Sequence, residues 1–248
     1  MQGKLPRPSG RSIGEYDDAQ EKLRHMEKSL RRKSKKPYSG LEYYIPINSL
    51  EAIVNRDTIR PILPALVKNV DEKELDAYAD VICPIPAVDD ELSISYRKVL
   101  AILILIKKPD KIGDFVNDNI SDDKLPLRQI GKERPFKLGI TEKLGPDLDP
   151  APLACFDKWE DNDIESFHTK QYEMLAPIFS REVDHYEMTV RHPLPYTKEP
   201  GQPSRDMEGG SGKVTGVRVH PAHYSLPLYT ASLWFFPGLD TCSLTPGR

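Results

Sequence analysis

LSISYRKVLAILILIKK, residues 92–108, is the stretch that decides the fold class of this chain. Its positions 99–106 are apolar without interruption, so that part of the segment has no polar face. A run this rich in β-branched residues is compatible with a buried strand, but its full length favours a central buried helix. Pro109 closes the run, and Asp110 can cap a short amphipathic helix that carries Ile112, Phe115 and Val116.

The segments on either side predict further helices and little sheet. Asp71 and Glu74 have the spacing of a capping box for a helix through residue 82. Asn162 or Asp163 can cap another helix through residue 175, and the alternation over residues 186–190 predicts a short strand or an extended segment. The sequence therefore predicts a mainly α fold: a small helical domain with long Pro-rich loops, followed by a short β-hairpin.

Composition changes along the chain divide it into seven parts. We expect a basic helical or disordered arm (1–39), a helical domain (40–130), a loop (131–153), a helix with an extended segment (154–196), a linker (197–204), a glycine-rich hairpin (205–224) and a tail of atypical composition (225–248). Much of the proline excess, 23 residues in 248, lies at predicted helix ends and near the linker.

Charge and cysteine content exclude several classes of protein. With 35 Lys and Arg against 38 Asp and Glu, the net charge is −3, so the chain is no overall polycation and nucleic acid is not an expected partner. No apolar run reaches the roughly 20 residues of a membrane span. The N-terminus has no secretory signal, and the three cysteines are widely spaced, which predicts a soluble cytoplasmic protein. The basic run 31–36 leaves a nuclear location open, although a solvated helix end is the favoured interpretation.

The glycine-rich stretch EGGSGKVTGVRVH, residues 208–220, carries the candidate chemistry. A Walker loop would need Ser or Thr where Val214 stands, and a dinucleotide fingerprint would need a helix where valines alternate. The glycine loop of protein kinases, G-x-G-x-x-G-x-V on a β-hairpin, fits better, with Met207 in place of the first glycine. The candidate nucleotide-contacting residues are Gly209, Gly210, Ser211, Gly212 and Val214; a plain glycine-rich turn stays the alternative.

Several separate pieces of the chain resemble one group of proteins. They are Trp159 with Phe167, the run QYEMLAPIF (171–179), LPY (194–196), EGGSGKV (208–214) and VHPAH (219–223). Together they are similar to protein-kinase-like proteins common in filamentous fungi, in which a helical N-terminal region leads into a kinase domain. The resemblance implies a Ser/Thr-type, ATP- and Mg-dependent kinase in full-length relatives. It covers residues 40–225, and its firm part is residues 156–223.

The chain lacks the groups that phosphoryl transfer requires. A kinase needs a third-strand lysine, a glutamate that holds it, a catalytic Asp and Asn, and a metal-binding Asp. No lysine follows Lys213, no glutamate follows Glu208, and the only later acid is Asp240. We therefore expect no catalytic residue, no metal site and no tightly bound cofactor in this chain. A truncation or a misjudged splice junction near Ser225 would explain why the tail has only one acid and one base.

Isolated polar residues elsewhere are assigned no catalytic role. His220 and His223 lack further metal ligands nearby, Cys155 has no activating neighbour, and His168 is a packed or surface histidine. Asp122 and Asp123 are expected in a turn with nothing apolar to separate their pKa values. Three hypotheses remain: a truncated kinase-like protein, a helical protein–protein interaction module, and anion or nucleic-acid binding by the basic arm 22–36.

Overall fold

The computed structural model describes residues 13–38, 42–67, 70–85, 94–131, 134–140, 151–180, 183, 185–186, 188–197, 206–209, 212–225 and 233–235. Eight α-helices lie in these ranges: α1 Ile13–Lys33, α2 Ile47–Ile53, α3 Arg56–Ile59, α4 Leu63–Leu66, α5 Glu72–Ile82, α6 Arg97–Leu105, α7 Ile112–Asn117 and α8 Asp161–Lys170. Six strands accompany them: β1 Arg128–Ile130, β2 Lys137–Gly139, β3 Tyr196–Thr197, β4 Asp206–Gly209, β5 Gly212–Val219 and β6 Leu233–Phe235. The mainly α prediction is confirmed.

Helix α6 lies at the centre of the core, as the apolar run predicts. Every residue from Val99 to Leu105 is buried. Asp122 accepts hydrogen bonds from the Lys98 and Val99 amides at 3.0 Å each, which gives two backbone N–H groups at the start of the helix a partner. At the other end, Arg31 of α1 donates to the Leu105 carbonyl at 3.0 Å. Because α6 is apolar all round, helices α1, α2, α7 and α8 can pack around it.

The segment predicted as an N-terminal arm contributes α1 to this same core. Ala19, Leu23, Met26 and Leu30 are buried and fall on one stripe of the helix. The stripe packs against α2 and α6, while the opposite side of α1 faces solvent. Each large apolar side chain buried in this way stabilises the fold by about 1.5–3 kcal/mol relative to exposure.

A second part of the core is aromatic and lies around α7 and α8. Phe115, Phe156, Trp159 and Phe167 contact one another with ring centroids 5.0–6.3 Å apart. Lys108 places its ammonium 5.4 Å from the centre of the Trp159 ring. The predicted helix at 162–175 is therefore observed as α8 followed by a 3-10 turn, Gln171–Met174.

Gln171, in that turn, is fully buried and holds the chain around Leu127. Its side-chain oxygen accepts from the Leu127 amide at 2.7 Å, and its side-chain nitrogen donates to the Leu127 carbonyl at 2.9 Å. The Gln171 side chain thus makes the same two hydrogen bonds to the Leu127 backbone that a residue of a neighbouring β-strand would make.

The connecting segments differ from expectation in one place. The expected loop 131–153 contains strand β2, which pairs with β1 because Leu127 and Leu138 are buried and draw the short strands onto the core. Over 186–190, where a short strand or an extended segment was expected, the described residues form no strand. Tyr186 instead donates a hydrogen bond to the Ile178 carbonyl, and Val190 lies fully exposed in a turn.

Strand β5 is the central strand of a four-stranded antiparallel sheet. It pairs with β3, β4 and β6. Thr215 of β5 pairs with Asp206 of β4 and also with Phe235 of β6, so β4 and β6 lie on opposite edges of β5. The predicted hairpin is therefore observed, and part of the predicted tail forms a third strand beside it.

Candidate functional site: the glycine-rich hairpin and its anchor

The hairpin brings three of the five candidate residues together. Gly209 pairs with Gly212 at the end of the ladder, and Met207 pairs with Val214 two positions further on. Gly210 and Ser211, which connect the strands, lie outside the described residues. The alternation of valines that follows the glycines explains the strand character of β5.

Strand β6 occupies the third position of this antiparallel meander. In kinases the phosphate-gripping lysine is on the third strand. The positions in β6 that pair with β5 are Leu233, Trp234 and Phe235, none of which can provide a cation. The third strand of the meander therefore offers no lysine to a phosphate.

The far end of β5 is anchored to the helical region by His223. The His223 ring is 2% exposed and lies in the 3-10 turn Pro221–His223. Its Nε2 accepts from the Ile47 amide at 3.2 Å, so Nδ1 carries the proton and donates to the Pro177 carbonyl at 3.0 Å. Burial lowers the pKa of His223, which keeps the ring neutral and able to make both bonds.

Backbone hydrogen bonds reinforce the anchor on both sides of His223. The Phe179 amide donates to the His223 carbonyl at 2.8 Å, and the Ser225 amide donates to the Phe179 carbonyl at 2.9 Å. The His220 amide donates to the Pro195 carbonyl at 2.7 Å. The end of β5 is thus attached to two separate extended segments of the helical region.

Tyr44 lies inside this anchor. Its ring is fully buried, with its centroid 5.5 Å from that of His223 and 6.2 Å from that of His220, edge to face in both cases. Burial raises the pKa of Tyr44 to about 12. Its hydroxyl makes no hydrogen bond within the described part of the chain. The His-Pro-x-His pattern in the sequence was the only signal that could have indicated this cluster.

A cavity of about 240 Å³ lies beside the anchor. Ile47, Pro177, Ile178 and His223 contribute to its walls, and Lys98 is among its few polar neighbours. Because both ring nitrogens of His223 are engaged by the protein, this histidine has no free lone pair for a metal ion or a substrate proton. His223 therefore serves as a structural link between β5 and the helical region.

The remaining candidates are also structural where they are described. Burial raises the pKa of Cys155 to about 12, so the thiol is protonated and unreactive. Burial and the nearby Arg191 lower the pKa of His168 to about 4, and its ring packs between Phe136 and Tyr172. Cys242 and Asp240 lie outside the described residues.

The prediction for Asp122 and Asp123 is wrong in one respect. Burial raises the pKa of Asp122, whereas the hydroxyl of Ser121 donates to Asp123 and lowers that pKa. The pKa values of the two carboxyl groups are therefore shifted in opposite directions, because Asp122 is the more buried of the two. Its hydrogen bonds go to the start of α6, so the shifted group serves the helix rather than catalysis.

Metal-ion and membrane features were also sought in the ranges that the structure describes. No group of three or more His, Cys, Asp or Glu side chains there is arranged to hold a metal ion. No helix in those ranges combines the length and apolar character needed to cross a membrane.

Comparison with known proteins returned no relative. No protein-family model, no curated protein and no solved structure matches the chain.

Proposed function

We propose that the chain is a kinase-like protein in which a helical accessory region carries a glycine-rich, nucleotide-phosphate-binding hairpin, and that its own residues do not transfer phosphate. The observation that carries this proposal is the β4–β5–β6 meander, with Gly209 opposite Gly212 and Val214 just after them. The resemblance of residues 156–223 to fungal kinase-like proteins supports the same function.

The chemistry of the hairpin limits what it can do. Glycines at the turn allow backbone N–H groups to approach phosphate oxygens without side-chain collision. Charge neutralisation by a third-strand lysine and a metal-binding Asp is missing from this sequence. Without these two groups the hairpin holds nucleotide weakly, mainly through backbone contacts, with Mg-ATP as the ligand class.

Thermal unfolding with and without nucleotide tests the proposal. Mg-ATP at about ten times its Kd stabilises a single-site protein by about 1.4 kcal/mol. For a chain of this size we expect the unfolding midpoint to rise by about 3–6 °C. The double variant Gly209→Val, Gly212→Val is expected to lose this shift.

Gly113→Ala is the matched control for the glycine variants. A Cβ at Gly113, in α7, meets nothing within 4 Å, so this variant is expected to keep the full nucleotide shift. A wild-type midpoint that Mg-ATP leaves unchanged, or an equal shift in the double variant, would contradict nucleotide binding by the hairpin.

The alternative function is a helical protein–protein interaction module, and exposed apolar side chains favour it. Val81, Ile85 and Ile94, close to the two ends of the segment 86–93, are 40%, 74% and 63% exposed. Because α1 belongs to the core, the test uses the full chain and not the later helices alone. Ile85→Asp with Ile94→Asp is expected to abolish co-purification of a partner while any nucleotide shift is kept; unchanged co-purification contradicts the module.

A further inference from the structure

The C-terminal half of α1 and the residues after it concentrate positive charge in an acidic protein. Residues 22–36 contain eight Lys and Arg and one Glu, a local net charge of +7, whereas the whole chain carries −3. The other residues therefore carry a net charge of −10. Six of the eight cations form what we call the basic stripe: Arg24, Lys28, Arg32, Lys33, Lys35 and Lys36.

The basic stripe is exposed and its charge is not neutralised. All six residues are exposed, and none of them forms an ion pair within the described part of the chain. Two carboxylates in the same part of the sequence are engaged with other cations, Glu27 with Arg31 at 2.9 Å and Glu42 with Arg191 at 3.8 Å. The acids of the first half of α1 lie towards its N-terminus.

Stabilisation of the helix end explains only part of this charge. Cations in the last turn interact favourably with the helix dipole, which accounts for Arg32 and Lys33. The dipole effect falls off within one turn, so it does not account for Arg24 and Lys28. Lys35 and Lys36 lie beyond the helix altogether. A further reason for these four cations is required.

The geometry of the stripe suits a chain of regularly spaced anions. Arg24, Lys28 and Arg32 follow one another at intervals of four residues, about 6 Å along the helix axis. They lie on the side of α1 opposite the buried Leu23 and Met26. The row of charges is therefore straight, solvent-facing and fixed in place by the core beneath it.

Two exposed aromatic side chains continue the stripe. Lys35 and Tyr44 pair their backbones through hydrogen bonds of 2.7 and 2.9 Å, and one position along from them are Lys36 and Tyr43. Tyr43 is 47% exposed and Tyr38 is 39% exposed. The bridge thus brings the backbone of Tyr43 beside that of Lys36, and Tyr38 follows Lys36 by two residues along the chain. The pairing across the bridge was not indicated by the sequence alone.

We propose that the basic stripe binds single-stranded nucleic acid, with phosphates along α1 and bases stacked on Tyr38 and Tyr43. A positively charged track combined with aromatic rings is the means by which proteins hold single strands without reading their sequence. A duplex does not fit the two rings in the same way, because its bases are stacked on one another. This binding is independent of the glycine-rich hairpin.

Fluorescence anisotropy with the full chain and labelled 20-mers of deoxythymidine or uridine tests the proposal. The logarithm of the binding constant is expected to fall with the logarithm of salt concentration with a slope near −4, about 0.7 for each of six neutralised phosphates. Tight binding of either oligomer supports the proposal, and comparison of the two shows whether DNA or RNA is preferred.

Two sets of variants separate the cations from the rings. Replacement of Arg24, Lys28 and Arg32 by Gln is expected to weaken binding by about tenfold or more and to lower the magnitude of the slope by about 2. Tyr38→Ala with Tyr43→Ala is expected to weaken binding by about thirtyfold or more at an unchanged slope. Unchanged unfolding midpoints confirm that each variant is folded.

A matched control removes the same charge elsewhere. Lys73, Arg128 and Lys137 are exposed, and their joint replacement by Gln is expected to leave affinity close to wild type. The proposal is overturned if no oligomer binds at 50 mM salt, or if this control loses as much affinity as the stripe variant. It is also overturned if the tyrosine variant binds normally, which would point to a polyanion without bases or to an anionic lipid surface; phosphatidylserine vesicles then identify the latter.

Discussion

Replacing His223 with leucine is expected to release the end of β5 from the helical region. Leucine keeps much of the volume of the imidazole but can neither accept from the Ile47 amide nor donate to the Pro177 carbonyl. Both backbone groups lie in a site where the side chain is 2% exposed, so water does not readily replace the ring. The variant therefore leaves two polar groups without partners.

The magnitude follows from those two groups. Each buried polar group that loses its partner costs about 1–3 kcal/mol. The edge-to-face contact with Tyr44, 5.5 Å between centroids, contributes about 0.5–1.5 kcal/mol more. We expect a loss of about 3 kcal/mol in the local opening free energy, which corresponds to about a hundredfold increase in the population of the opened anchor.

Native-state amide hydrogen exchange measures this opening directly. The amides of Ile47, Phe179 and Ser225 report on the anchor, and we expect them to exchange about a hundredfold faster in the variant. Amides of α6 should change less, because the core around that helix does not include His223. His185→Leu, at an exposed histidine, is the control and should change stability by less than about 0.5 kcal/mol. Unaltered exchange at Phe179 and Ser225 would refute the anchoring role of His223.

Three further changes are expected to have measurable effects. Gln171→Leu leaves the buried Leu127 amide and carbonyl unpaired, so urea denaturation should show a loss of about 2–4 kcal/mol. Asp122→Ala removes the acceptor at the start of α6 and should cost about 1–2 kcal/mol, whereas Asp123→Ala, at an exposed turn carboxylate, should cost less in the same assay. His168 has a pKa of about 4 in the folded state and near 6.5 in the unfolded state, so the unfolded state binds the proton first as the pH falls. The free energy of unfolding should therefore decrease from pH 6.5 to pH 4. His168→Gln should flatten that part of the pH profile.

The parts of the fold that were predicted correctly depend on local pattern. The uninterrupted apolar run at 99–106 could form only a buried element, and its length indicated α6. Asp71 and Glu74 form the predicted capping box, with hydrogen bonds of 2.8 Å in both directions. Such features are decided by residues within one or two turns of each other, so the sequence displays them.

The features that were missed depend on partners far along the chain. Gln171 lies 44 residues from Leu127, and nothing in either neighbourhood indicates that the two will pair. Asp122 is partly buried against the start of α6, and the desolvation that comes with this position raises its pKa. Hydrophobic periodicity carries no information on such long-range hydrogen bonds.

In the candidate site, too, the local features were predicted and the long-range contacts were not. The pairing of Gly209 with Gly212 follows from the local hairpin pattern and was expected. The anchoring of His223 requires Ile47, which is 176 residues away, and could not be read from the sequence. Whether the hairpin binds nucleotide stays a prediction, which the glycine variants test.

Strand β5 has the mechanical properties of a cantilever. It is held near Val219 by β3 and, just beyond that residue, by the His223 anchor, and its eight residues extend about 26 Å to Gly212. A tilt of about 10° at the held end would displace the glycine end by about 4–5 Å, which is more than the length of one residue. A small rotation at the helical surface around Ile47 and Pro177 would therefore be magnified at the glycine end of the hairpin.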